Sequence, residues 1–137
     1  MSVRKPERDI SEAQFLTTAR ELEIFTLRRC IKFPKRYTFY IGQEIANSAK
    51  YIYRNVKRGN SVFPVKTHQD AIMRRNCFLN AQMELQNLVS QIEIANELFG
   101  IDKEVMRQWM ELVDLEIRLL NGLLKKEQSH HSDNSQG

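Results

Sequence analysis

Between residues 11 and 126 proline occurs only at Pro34 and Pro64, and the stretches around these two breaks repeat apolar residues at the period of an α-helix. A proline removes a backbone donor and restricts the residue before it, so a helix ends at Phe33 and another cannot run through Pro64. Glycine (5) and proline (3) are scarce in the 137 residues, which favours long helices over a turn-rich β fold. Four helical patterns follow. The first runs from Ser11, in capping-box spacing with Gln14, to Lys32, with Phe15, Leu16, Ala19, Leu22 and Cys30 on one face. The second is predicted from Thr38 as N-cap to Arg58, with Gly59-Asn60 as its stop and Ile45, Ala49, Ile52 and Val56 on its apolar face. Gly42, Ala46 and Ala49 make a smooth stripe on which another helix can approach closely.

The third helix starts near Thr67, has Asp70 in its first turn and ends before Gly100; Phe78, Ala81, Leu85, Leu88, Ile92 and Ala95 mark its core face. Asp102 caps the fourth, Ile101 can staple it against Met106, and it runs to Lys126. Short connections make neighbours antiparallel, so the expected fold is all-α, an up-down-up-down antiparallel four-helix bundle over residues 11–126. Residues 1–10 read as an N-terminal extension and 127–137 as a disordered polar tail. No apolar run approaches the roughly 20 residues of a membrane span, and "MSVRKPERDISE" has no apolar leader, so a cytoplasmic protein without a membrane partner is expected. Cys30 and Cys77 match no metal or redox spacing and read as buried free thiols.

The net charge of +4 hides a strong asymmetry. Residues 1–76 hold 16 Lys/Arg against 7 Asp/Glu (+9), and residues 77–137 hold 5 against 10 (−5). Between Arg28 and Arg75 there are twelve Lys/Arg and two acids, Glu44 and Asp70. Such imbalance suits a polyanion on one side of the fold. Lys50, Arg54, Lys57 and Arg58 fall within about 100° of arc opposite the apolar stripe of the second helix. Successive charges at 50, 54 and 58 stand roughly 6 Å apart, close to the repeat of a nucleic-acid backbone. Tyr40 and Tyr51 flank that face, where a ring can stack on a base. A second cluster, Arg28, Arg29, Lys32, Lys35 and Arg36, lies at the first joint, and a third, Lys66, Arg74 and Arg75, at the second. The two joints belong to opposite poles of a bundle, so the stripe would connect them into a track.

From Val105 to Leu124, twelve of twenty positions are Val, Ile, Leu, Met or Trp. Their arc of roughly 220° exceeds the stripe one bundle core needs, so Trp109, Met110, Leu112, Leu115 and Leu119 are expected at a subunit interface. Glu116 lies in the same arc and needs a partner if buried; Arg29, at the same height on the first helix, is the candidate. No catalytic constellation stands out: there is no Gly-rich phosphate loop, His68 stands alone, and Asp114 and Glu116 point different ways. Catalytic residues, a metal, a cofactor and a small-molecule substrate are not expected.

Phe33-Pro34-Lys35 followed by Phe39 and Ile41-Gly42 resembles the first-loop signature of a bacterial four-helix-bundle family, and "RLLNGLLKK" (Arg118 to Lys126) resembles its closing motif. The family includes proteins encoded in intervening sequences of large-subunit ribosomal RNA genes and the accessory variability determinants of diversity-generating retroelements. The basic first half is more similar to the accessory branch. One departure is Thr38, where the family often has arginine before the second aromatic; Arg36 lies two residues earlier. The resemblance implies a ring-shaped homopentamer that binds RNA or DNA through a basic surface and binds the reverse transcriptase of its element. It therefore points to a non-enzymatic accessory subunit supporting mutagenic retrohoming. The alternatives are a ribosomal intervening-sequence bundle without a reverse-transcriptase partner, and an adaptor for an acidic protein.

Overall fold

The computed structural model describes residues 10–136, with side chains for 14–127. The expected extension before residue 10 and the Ser11 cap lie outside the described residues and side chains. Four long helices form: α1 (Ile10–Cys30), α2 (Gln43–Ser61), α3 (His68–Phe99) and α4 (Lys103–Gln136). Each packs on its neighbours in sequence, and α1 also packs on α4, closing an all-α four-helix bundle. No described helix is long and apolar enough to cross a membrane.

The core is built from one heptad-like row per helix. On α3 the row is Phe78, Ala81, Leu85, Leu88, Ile92 and Ala95; on α4 it is Trp109, Val113, Leu120 and Leu123, all buried. Phe15 of α1 meets Phe78 edge-on, ring centres 5.3 Å apart. Cys30 and Cys77 are free and buried, and burial pushes the Cys30 thiol up to about 12. Thr67 caps α3 as expected, its hydroxyl accepting from the Asp70 backbone N–H at 3.0 Å. Asp102 accepts from the N–H groups of Glu104 and Val105 at 3.0 and 3.2 Å, and Gly100 ends α3 at φ +74°, a conformation glycine adopts freely.

Three expectations are corrected. Thr38 is not the cap of α2. The chain turns helical directly after Pro34, through a short turn at Lys35–Tyr37 and a π-helical turn at Thr38–Gly42, in which the Gln43 N–H donates to the Thr38 carbonyl. Pro34 is the N-cap, its carbonyl accepting from the Tyr37 and Thr38 N–H groups at 2.8 and 3.2 Å, while the Thr38 hydroxyl bonds back to the carbonyls of Phe33 and Pro34 at 3.4 and 3.3 Å. The last helix does not stop at Lys126: α4 continues to Gln136, across a segment with neither proline nor glycine, so residues 127–136 are helical.

Gly59, the third, is not the helix stop; α2 runs on to Ser61 with Gly59 buried inside it. A Cβ there would lie 2.5 Å from the Phe78 ring, whereas at Gly42 the nearest atom, on Phe33, is 3.5 Å away. The close-approach glycine is therefore Gly59. Gly59→Ala is expected to overpack Phe78 and cost about 1–3 kcal/mol in urea unfolding, while Gly42→Ala is neutral or slightly stabilising. Equal tolerance of alanine at both sites would contradict this packing.

Candidate nucleic-acid interface

The joint between α1 and α2 sorts its aromatic side chains by direction. Phe33 and Tyr37 turn inward onto the joint between α3 and α4, with ring centres 4.9 and 5.0 Å from Phe99. Both joints thus share one pole. Phe39 and Tyr40, on the π-helical turn, point outward and are 72% and 73% exposed. Arg28, Lys32, Lys35 and Arg36 are exposed at the same pole. Arg29 is half-buried, its guanidinium 5.1 Å from the Phe25 ring centre. It does not pair with Glu116. That carboxylate is fully buried, both oxygens lack a hydrogen-bond partner, and burial pushes it up to about 9, so it is protonated at neutral pH.

On α2, Lys50, Arg54, Lys57 and Arg58 are all exposed, and none has a carboxylate within ion-pairing distance among the described residues. Glu44, near the start, is the helix's single acid. The Lys57 ammonium lies 5.9 Å from the Tyr53 ring centre. Tyr51 is half-exposed beside the stripe. One of the cations on α4, Arg107, is arranged differently: it bonds to Glu104 and, at 2.5 Å, to Glu111, which raises its own pKa and lowers that of Glu104. The charge of Arg107 is neutralised within its own helix; the four charges on α2 are left open.

The second pole is weaker than expected. Lys66 is exposed and Arg75 half-buried, but Arg74 is buried and unavailable to a nucleic acid. Its Nε donates to Glu127 at 2.6 Å and its Nη1 to the Gly59 carbonyl at 3.0 Å, while the guanidinium lies 4.8 Å from the Phe78 ring centre and 5.5 Å from that of Phe63. Position 74 continues the α3 core row one turn beyond Phe78, and 127 continues the α4 row beyond Leu123. Antiparallel packing brings these two row ends together. That phase was present in the sequence, outweighed by the local run of positive charge.

The expected interface on α4 is also corrected in part. Trp109 is buried in the bundle's own core, its indole N–H donating to the Thr26 hydroxyl at 2.9 Å. Met110, Leu112, Leu115 and Leu119 are half-buried, and Met110, Leu112 and Leu119 pack against the core. Contact with both α1 and α3 consumes most of the wide apolar arc. Larger exposed apolar side chains stand elsewhere: Leu27, Ile31, Phe39 and Tyr40 at the first joint, and Met83, Ile94 and Leu98 on α3. No protein-family model, curated protein or solved structure matches the chain.

Proposed function

We propose that this bundle is a non-enzymatic, self-associating RNA- or DNA-binding subunit, accessory to the reverse transcriptase of a diversity-generating retroelement. One observation carries the nucleic-acid part. Lys50, Arg54, Lys57 and Arg58 form an exposed row of cations that no described carboxylate neutralises. Further exposed or half-buried cations stand at the two poles that α2 joins, Lys66 and Arg75 at one and Arg28, Lys32, Lys35 and Arg36 at the other, and they would extend the contacts of a phosphate backbone laid along the row. Contacts of this kind fix position and carry no base preference. The reverse transcriptase and a pentameric ring rest on the resemblance of the joint motif alone. Half-buried Met110, Leu112, Leu115 and Leu119, with exposed Met83, Ile94 and Leu98, supply apolar surface for self-association.

Fluorescence anisotropy with labelled RNA and DNA of unrelated sequences tests the reading. Affinity is expected to be similar across sequences and to fall about 100-fold between 50 and 200 mM salt for four neutralised phosphates. Tight binding of an acidic polypeptide such as poly-glutamate, with no binding of nucleic acid at low salt, would replace this reading by that of an acidic-protein adaptor. Light scattering checks assembly; a monodisperse species at the 16.2 kDa chain mass would remove self-association from the proposal.

A further inference from the structure

Two large aromatic side chains standing next to one another, each about three-quarters exposed, need an occupant. Phe39 and Tyr40 have ring centres 5.4 Å apart at an interplanar angle of 87°. They are held on the π-helical turn, which packs through buried Gly42 against Phe33 and Cys30. Their surroundings are cationic. Lys35 and Arg36 lie one turn earlier, Arg28 stands on the last turn of α1, and Lys32 lies in the turn that follows it. No acidic residue occurs between Arg28 and Gln43; the next acid along the chain is Glu44, at the start of α2, and Asp102, which shares a pocket with Lys32, is engaged in capping α4. Beside Phe39 a shallow groove runs between the two helices, lined by Leu27, Ile31, Lys35, Gln43 and Ala46.

An apolar protein partner would be met by this patch, but the unneutralised cationic rim selects an anion that also offers flat, unpaired faces. A duplex hides its base faces in the stack and offers only phosphates. A single strand offers both, and proteins hold one by stacking its bases on aromatic side chains while neighbouring cations take its phosphates. We infer that the joint pole is a single-strand platform, where Phe39 and Tyr40 stack on unpaired bases and Lys32, Lys35 and Arg36 hold the adjoining phosphates. This rests on the nucleic-acid reading above and narrows it: the α2 stripe takes any phosphate backbone, and the pole adds preference for single strands.

The experiment compares labelled oligo(U) and oligo(dT) 12-mers with a 12-base-pair duplex, using the full chain and the double variant Phe39→Ala/Tyr40→Ala. The parent is expected to bind single strands more tightly than the duplex. The double variant is expected to lose about 10- to 100-fold in single-strand affinity, with duplex affinity and the salt slope unchanged, because stacking releases no counterions. Tyr40→Phe, which keeps the ring, is expected to bind as the parent does. Both alanine sites are exposed, so circular dichroism and particle mass should hold. Equal single-strand affinity in parent and double variant overturns the platform and leaves the stripe standing, as does a parent that prefers duplex. A change in particle mass in the double variant also overturns it, by assigning the patch to self-association. A parent that binds neither probe at low salt overturns the nucleic-acid reading itself.

Discussion

Arg74→Ala is expected to lower the unfolding free energy by about 3–5 kcal/mol, the range for removing one member of a buried ion pair. The guanidinium is fully buried between Phe63 and Phe78, and its loss leaves a void there, a Gly59 carbonyl with the Val62 N–H alone and a Glu127 carboxylate without its charge partner. Arg74→Lys is expected to recover little, because an ammonium cannot serve Glu127 and Gly59 with the same planar fork. Arg74→Met fills the space without a charge, and Arg74→Met combined with Glu127→Gln is expected to restore most of the stability. Urea unfolding at constant m-value measures all of these. The variant pair Arg74→Met/Glu127→Gln also separates structure from binding. Its nucleic-acid affinity and salt slope should match the parent; a folded variant with a clearly reduced slope would return Arg74 to the interface.

Glu116 gives the second large effect, with the opposite sign. Its carboxyl is raised from the ordinary 4.5 to about 9 by burial, so the native state holds a proton that the unfolded chain releases. Its contribution to stability is fully present below pH 4.5 and is lost as pH rises through the window from 4.5 to about 9. At about 1.4 kcal/mol per pH unit, roughly 3 kcal/mol disappears between pH 4.5 and 7. Glu116→Gln cannot ionise and removes this dependence. The stability of the variant relative to the parent is therefore expected to grow by about 3 kcal/mol from pH 5 to pH 7.5, by urea unfolding at each pH. A difference that does not change with pH would mean that Glu116 is ionised in the fold and has found a cation.

The helices, their order and most core residues are legible in the sequence because a bundle with few breakers expresses itself as long 3.6-residue periods. Phe15, Phe78, Leu85, Leu120 and their rows fall where the period puts them. Residues that break the polar–apolar code were harder. Arg74 and Glu116 occupy core phase with charged side chains; one is satisfied by a residue 53 positions away, and the other by giving up its charge, neither of which local pattern reveals. Gly59 looked like a helix end because glycine so often is one; its reason is the Phe78 ring, a tertiary contact. The width of the α4 arc was visible, but how much of it α1 and α3 would cover was not. At the candidate interface the exposed stripe on α2 follows directly from helix phase. The outward turn of Phe39 beside inward Phe33 and Tyr37 depends on the π-helical turn, which shifts that phase and leaves no composition signal.

The central claim is that the unpaired cations of α2 hold a phosphate backbone, and the salt dependence of binding by the quadruple variant Lys50→Gln/Arg54→Gln/Lys57→Gln/Arg58→Gln tests it most directly. Log affinity should fall linearly with log salt, by about 0.7–0.9 for each phosphate neutralised, so four contacts account for a slope of roughly −3 to −4. The variant should lose that much of the parent's slope while helicity and particle mass hold, since all four side chains face away from the core. Arg107→Gln, whose cation is already paired with Glu104 and Glu111, should leave the slope nearly unchanged. A quadruple variant that binds with the parent's slope would contradict the account and move the phosphate contacts to the poles, where Lys35, Arg36 and Arg75 stand.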